Sequence, residues 1–302
     1  MKKLSYLFLT ALAITVWSCD DDEETTTPAT GNLTFNIEGL ENLGASFVYE
    51  GWVMVDGTPI STGTFTVNDA GQLSQTSFEV EEQMLDAATT FILTIEPAVD
   101  PDPAPSDQKY IAGDFSGDMA VVSTAVAPAV GDFSASAGTY FLRTPTDEEP
   151  GTGNNGNDFN GVWFGLPGMP PSANLTLPTL PTGWIYEGWL VTENGPISTG
   201  TFTDVADRDN SNSLSGIENN AGPAIPGEDF FIAPDDAVDD FPIDVRGNMV
   251  VITVEPVPDN DPGPFTLKPL ASMVAADAAT APGSHSFSLN VDNSFPSGWV
   301  GR

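Results

Sequence analysis

Two stretches decide the reading of this chain: YEGWVMVDGTPISTGTF from Tyr49 to Phe65, and YEGWLVTENGPISTGTF from Tyr186 to Phe202. Eleven of the seventeen positions are identical without a gap, and the two copies begin 137 positions apart. Identity of that density, with a Trp and the run Pro-Ile-Ser-Thr-Gly-Thr-Phe inside it, points to duplication of one module. Val48 to Val55 reads as a strand that ends on Asp56-Gly57, and its second copy ends on Glu193-Asn194-Gly195. Asp or Asn beside Gly suits a hairpin turn that needs positive φ. Ile60 to Val67 and Ile197 to Thr203 are the returning strands. Alternation puts Tyr49, Gly51 and Val53 on one face of the first strand and Glu50, Trp52 and Met54 on the other.

The correspondence continues beyond the hairpin. Phe91-Ile92-Leu93-Thr94-Ile95-Glu96-Pro97 matches Val250-Val251-Ile252-Thr253-Val254-Glu255-Pro256, and an Asp/Pro-rich loop follows each. Further on, Ile111-Ala112 matches Leu270-Ala271, and Asn32-Leu33-Thr34 echoes Asn174-Leu175-Thr176. Apolar segments are short and β-branched, 29 Gly and 26 Pro punctuate them, and no long stretch keeps a helical period. The expected class is all-β, with two tandem β-sandwich-like modules. The first spans 32–143 and the second 161–302. Residues 144–160, with Gly-Thr-Gly-Asn-Asn-Gly at their centre, have the composition of a linker.

The first residues concern address. Lys2-Lys3 precedes an apolar run from Leu4 to Val16, too short to span a bilayer as a mature helix. Val16-Trp17-Ser18-Cys19 resembles the lipobox of bacterial lipoproteins, Bacteroidota-type. That likeness implies a signal peptide over 1–18, cleavage before Cys19 and lipid, palmitate included, on that residue. Residues 19–31 are acidic and rich in Thr and Pro, the composition of a solvated tether. An acidic cluster after the lipidated cysteine also resembles a surface-export signal, so anchoring to the outer membrane with cell-surface exposure is expected. Cys19 is the single cysteine, which leaves none for a disulfide.

Charge narrows the partners. The chain holds 43 acidic residues against 8 basic, a formal net charge of −35. Such a surface repels phosphate backbones and favours cations, so nucleic-acid binding is not expected. With one His, His285, and one Cys, zinc sites and nucleophilic triads lack their residues. The recurring pairs Glu50/Glu96 and Glu187/Glu255 could support carboxylate-based hydrolysis. Their plainer reading is that they anchor strand ends or accept backbone hydrogen bonds, as Trp52 and Trp189 read as core. The one window with metal-ligand spacing runs from Asp207 to Glu218. Asp207, Asp209 and Ser211 stand at its positions 1, 3 and 5, Ser213 offers a carbonyl at 7, and Glu218 closes it at 12. That spacing matches an EF-hand-like calcium loop with Asn212 where Gly is usual. No other cofactor is implied.

Tyr49, Glu50, Trp52, Gly63, Phe65, Thr94, Glu96 and Pro97 together resemble the C-terminal extracytoplasmic domain of the anti-sigma-K factor family. Tyr186, Glu187, Trp189, Gly200, Phe202, Thr253, Glu255 and Pro256 repeat the pattern. The resemblance implies an outer domain that senses or binds in the envelope. Family members grip the sigma factor through a cytoplasmic helical domain and a spanning helix, neither of which this sequence contains, so direct sigma-factor contact is not expected. The reading is therefore a lipid-anchored, non-catalytic binding or structural module of the envelope, whose partner is an envelope protein or extracellular ligand. Its alternatives are a regulatory component of an anti-sigma-factor system and a carboxylate-based extracellular hydrolase.

Overall fold

The computed structural model describes residues 28–148, 155–215, 222–235, 237–259 and 261–302. The first half carries β1 (Thr30–Glu38), β2 (Phe47–Val55), β3 (Thr58–Phe65), β4 (Ser77–Glu81), the short helix α1 (Glu82–Ala87), β5 (Thr90–Pro97), β6 (Lys109–Ser116), β7 (Met119–Val122) and β8 (Ala137–Leu142). After a 3-10 turn come β9 (Gly161–Trp163), β10 (Leu175–Thr176), β11 (Trp184–Thr192), β12 (Gly195–Phe202) and β13 (Gly227–Asp229). β14 (Met249–Pro256), β15 (Leu270–Met273), β16 (His285–Ser286), β17 (Ser288–Leu289), α2 (Val291–Ser294) and β18 (Ser297–Gly301) complete the chain. The class is all-β, as the punctuated, β-branched sequence requires.

Antiparallel pairing orders the first sheet β3-β2-β5-β6-β7-β18-β1-β4. It curls until its edges approach: Phe65 of β3 and Phe78 of β4 lie 6.0 Å apart between ring centroids. The second half holds the sheets β12-β11-β14-β15-β17 and β10-β8-β9-β13. One apolar core runs through both halves, from Leu33, Phe35 and Phe91 to Phe164, Ile252 and Phe287.

Two strands cross between the halves. β18 inserts between β7 and β1, with Val300 opposite Phe35 and Ala120. β8 pairs with β9, placing Leu142 opposite Val162, and also with β10 and β16. The sheets therefore do not follow a linear division at residues 143 and 160. Residues 144–148 are packed as well: Thr144 and Thr146 are fully buried, and Arg143 pairs with Glu148 at 2.5 Å. Thr146 donates from its backbone N to Asp229 at 2.9 Å.

The duplicated hairpin makes the same contacts twice. Both copies shift register at one place, between Gly51/Trp52 and between Gly188/Trp189. The extra residue opposite is Thr62 or Thr199, and the following Gly63 and Gly200 each take φ 117°, a conformation open to glycine at little cost. Ser61 and Ser198 cap the bulge, accepting from the N of Gly63 (3.2 Å) and Gly200 (3.0 Å). Their hydroxyls donate to Glu50 and Glu187. Across the strand, a Cβ on Gly51 would stand 2.5 Å from Thr62 Oγ1 and 3.0 Å from the Phe35 ring. On Gly188 it would stand 2.3 Å from Thr199 Oγ1 and 2.4 Å from the Phe164 ring. Tyr49 donates to Glu41 O (3.0 Å) and Tyr186 to Pro178 O (2.5 Å). The rings of Tyr49 and Tyr186 stack on Phe65 and Phe202 at 5.4 and 5.5 Å.

These contacts correct one correspondence. Phe35 of β1 faces Gly51 as Phe164, just after β9, faces Gly188, so β9 and not β10 takes the place of β1 in the second half. Asn174-Leu175-Thr176 only edges β8. The likeness of three residues carried no side-chain pattern long enough to fix a strand's place.

Val300→Ala should destabilise the fold by about 2 kcal/mol, since it removes fully buried apolar volume. Hydrogen exchange should accelerate first in β1 and β7, far from Val300 in sequence, and less in β11 and β14. Gly51→Ala should cost a similar amount, roughly 2 kcal/mol, by driving Thr62 and Phe35 apart, and urea titration reads it directly.

Candidate functional site

The repeated Thr-x-Glu-Pro strands hold loops. Trp52 Nε1 donates to Thr94 Oγ1 at 2.9 Å, the Thr94 hydroxyl bonds Glu96, and Glu96 Oε1 accepts from Ser106 N at 2.8 Å. In the second half Trp189 Nε1 donates to Thr253 Oγ1 at 2.8 Å and the Thr253 hydroxyl bonds Glu255. Glu255 in turn accepts from Phe265 N at 3.0 Å. Each glutamate thus closes an Asp/Pro loop of equal span onto the end of its strand. Both tryptophans are buried, at 3% exposure, so they belong to the core. Glu50 and Glu96 share a shallow hollow with Trp52 and Asp100, where Ser61 donates to one oxygen of Glu50 and Thr94 and Ser106 donate to one oxygen of Glu96.

The second of these loops meets the first half. Between residues 41–47, where the chain leaves β1 and enters β2, and residues 255–259 and 261–265 lies a cavity of about 370 Å³. Leu43, Phe47, Ile95 and Phe265 supply apolar wall, while Glu41, Asp69, Glu255, Asp259 and Asp261 supply carboxylates. The seam is braced on both sides. Thr266 N donates to Glu41 Oε2 at 2.8 Å, the Gln108 amide donates to Val257 O, and Tyr110 packs against Trp184 and Phe265 at 5.7 and 5.5 Å.

Burial governs the charges here. Loss of solvent pushes Glu41 up to about 7, against the lowering pull of the Thr266 N–H and of Lys268. Burial likewise raises Glu255 to about 8, offset by bonds from Thr253 and Phe265 N and reinforced by repulsion from Glu187 and Asp259. Lys268 is lowered by the same desolvation, and its Nζ donates to the carbonyls of Phe265 (2.6 Å) and Pro264 (3.3 Å).

The expected calcium window sits elsewhere. Asp209 Oδ1 accepts from Ser211 N at 3.2 Å and its Oδ2 from Gly227 N at 2.8 Å. Ser211 and Ser213 face one another at 3.2 Å between hydroxyls, and Asp207 N donates to Asp204 O at 3.2 Å. Glu218 lies outside the described residues, as does Cys19. Among the described residues no three His, Cys, Asp or Glu side chains are grouped to hold a metal ion. What the window touches is a buried acid that sequence reading passed over. Glu228 on β13 stands opposite Val162, where β4 sets Phe78 opposite Leu33. It is fully buried and bonded by the Ser215 hydroxyl and Asp229 N. Asp229 accepts from Trp163 Nε1 at 2.8 Å. Burial raises Glu228 to about 6 and Asp229 to about 7. His285 lies on β16 against Tyr140, its Nε2 at 2.8 Å from Ala279 O.

Residues 23–109 match the family model described as anti-sigma-K factor rskA, C-terminal. The match covers β1 to the start of β6, and with it the first hairpin, the Trp52–Thr94–Glu96 chain and the 41–47 side of the seam cavity. No curated protein and no solved structure matches the chain. No helix among the described residues is long and apolar enough to cross a membrane.

Raised carboxyl values make a pH prediction with a definite sign. Glu41 and Glu255 bind protons more tightly folded than unfolded, so their contribution is complete below the unfolded value and is lost as pH rises through 7 and 8. The melting temperature should be higher by about 5 °C at about pH 5.5 than at about pH 8.5. Glu255→Gln should flatten that difference in calorimetric scans.

Proposed function

We propose that this chain is a regulatory component of an anti-sigma-factor envelope-signalling system, acting outside the cytoplasm as its binding and sensing element. The observation that carries the reading is the match of residues 23–109 to the anti-sigma-K C-terminal domain. The second half, with its identical bulge, tyrosine and Trp–Thr–Glu contacts, is in this reading a divergent copy of the same domain. The seam between the copies supplies the ligand cavity. Glutamates occupied in holding loops favour binding over catalysis, and the sigma factor itself is contacted by a separate membrane or cytoplasmic partner. Lipid on Cys19 holds the chain at the outer membrane.

Two measurements test this. Deleting the gene in its native bacterium should change, several-fold, the output of a reporter driven by the partnered sigma factor under envelope stress. A reporter that responds like the parent's would sink the regulatory reading. Cys19→Ser should abolish metabolic labelling with an alkyne analogue of palmitate, and label retained on the variant would remove the anchor from the proposal.

A further inference from the structure

The seam cavity combines three features. Its volume, about 370 Å³, falls in the range of small-molecule sites, roughly 300 to 1,000 Å³. Its wall is apolar at Leu43, Phe47, Ile95 and Phe265. Its charged lining is of one sign: Glu41 and Asp69 from the first half, Glu255, Asp259 and Asp261 from the second. Lys268 is the cation close enough to act on Glu41 and Glu255, but its ammonium is spent on the Pro264 and Phe265 carbonyls and forms an ion pair with neither glutamate.

The local bonds leave acceptor capacity. Glu41 gives Oε2 to Thr266 N, Asp69 accepts from the Asn42 amide (2.6 Å) and Asp261 from Gly263 N (2.8 Å). A carboxylate accepts at both oxygens, so each keeps room for a further donor. A hard metal ion would want a dense oxygen shell, and no such grouping exists among the described residues. Carboxylates set around an apolar wall suit a cation that carries its own hydrocarbon.

We infer that the seam cavity binds a protonated alkylamine of the diamine or polyamine class, its methylenes against Phe47 and Phe265 and its ammonium groups among Glu41, Asp69 and Asp261, in the field of Glu255. The inference rests on reading the chain as a binding component and names the ligand chemistry of that same cavity. Charge complementarity gives the direction of its pH dependence. An alkylamine keeps its proton to about pH 10, as lysine does. Glu41 and Glu255 lose theirs only near 7 and 8. Affinity should therefore rise between about pH 6 and pH 9.

Isothermal titration of the chain with 1,5-diaminopentane tests the proposal, with ammonium chloride as charge without methylenes and 1-pentanol as methylenes without charge. The expected result is one site per chain, at least tenfold tighter than ammonium, and tighter at the higher pH. Glu41→Gln, which keeps an acceptor for Thr266 N, should weaken binding about tenfold. Ala45→Trp, on the exposed rim, should block it while the circular dichroism spectrum stays unchanged. No heat, many weak sites per chain, or affinity indifferent to both variants would overturn it. Such a failure would leave the reporter experiment untouched, so ligand chemistry and regulatory role fall separately.

Discussion

The continuity of the first sheet depends on one pairing, that of Val300 with Phe35. β1 is the strand whose Phe35 fills the space over Gly51, and β18 is what separates β1 from β7. Without β18, β1 and β4 would have no hydrogen-bonded route to the remaining strands of the first sheet. The second half depends reciprocally on β8, which carries Phe141 opposite Trp163 and Leu142 opposite Val162. Each half thus borrows the strand that closes it. Arg302, just past β18, ties the exchange down by donating to the carbonyls of Leu85, Ala88 and Gly117 and lying over Phe115 at 4.5 Å. Hydrophobic area in either half is covered by chain from the other.

The identical residues of the two hairpins build the same device, a bulged hairpin clamped at both ends. Tyr49 and Tyr186 reach back eight residues to a carbonyl, while Trp52 and Trp189 reach across to a threonine. Gly51 and Gly188 admit an aromatic ring, and Gly63 and Gly200 allow the bulge. Such a set is jointly constrained: a side chain on the first glycine would displace the ring that the tyrosine-lined core is packed around. Positions that differ between the copies, such as Val53 and Leu190 or Asp56 and Glu193, keep only size or turn chemistry.

Local pattern made the strands and hairpins legible, since alternation, turn residues and β-branched runs act over a few residues. β2 and β3 lie within a few residues of their expected limits, and the Glu96 and Glu255 bonds to loop backbone are of the kind foreseen for them. Three things were not legible. The exchange of β8 and β18 was hidden because Gly138-Thr139-Tyr140 and Gly298-Trp299-Val300 state that a strand exists but not which sheet receives it. The burial of Glu228 was hidden because a carboxylate reads as surface, and only its place opposite Val162, in register with Phe78 opposite Leu33, reveals a core position. The packing of Thr144 and Thr146 was hidden by their neighbours' linker composition, although Asp229 receives Thr146 and Asn157 receives the Thr144 hydroxyl.

The same hidden placement accounts for the difference between the copies. Both Thr-x-Glu-Pro strands clamp an Asp/Pro loop, but the first clamps it over an open hollow and the second presses it against residues 41–47. Burial raises both glutamates, and repulsion from Glu187 and Asp259 adds to it at Glu255, which is driven to about 8. The repeated motif by itself would give two equal hollows. Joining the halves through exchanged strands fixes one loop against the other copy and leaves its counterpart free. The asymmetry that makes a cavity therefore arises from assembly and not from new catalytic residues, which is why two nearly identical motifs end in chemically different surroundings.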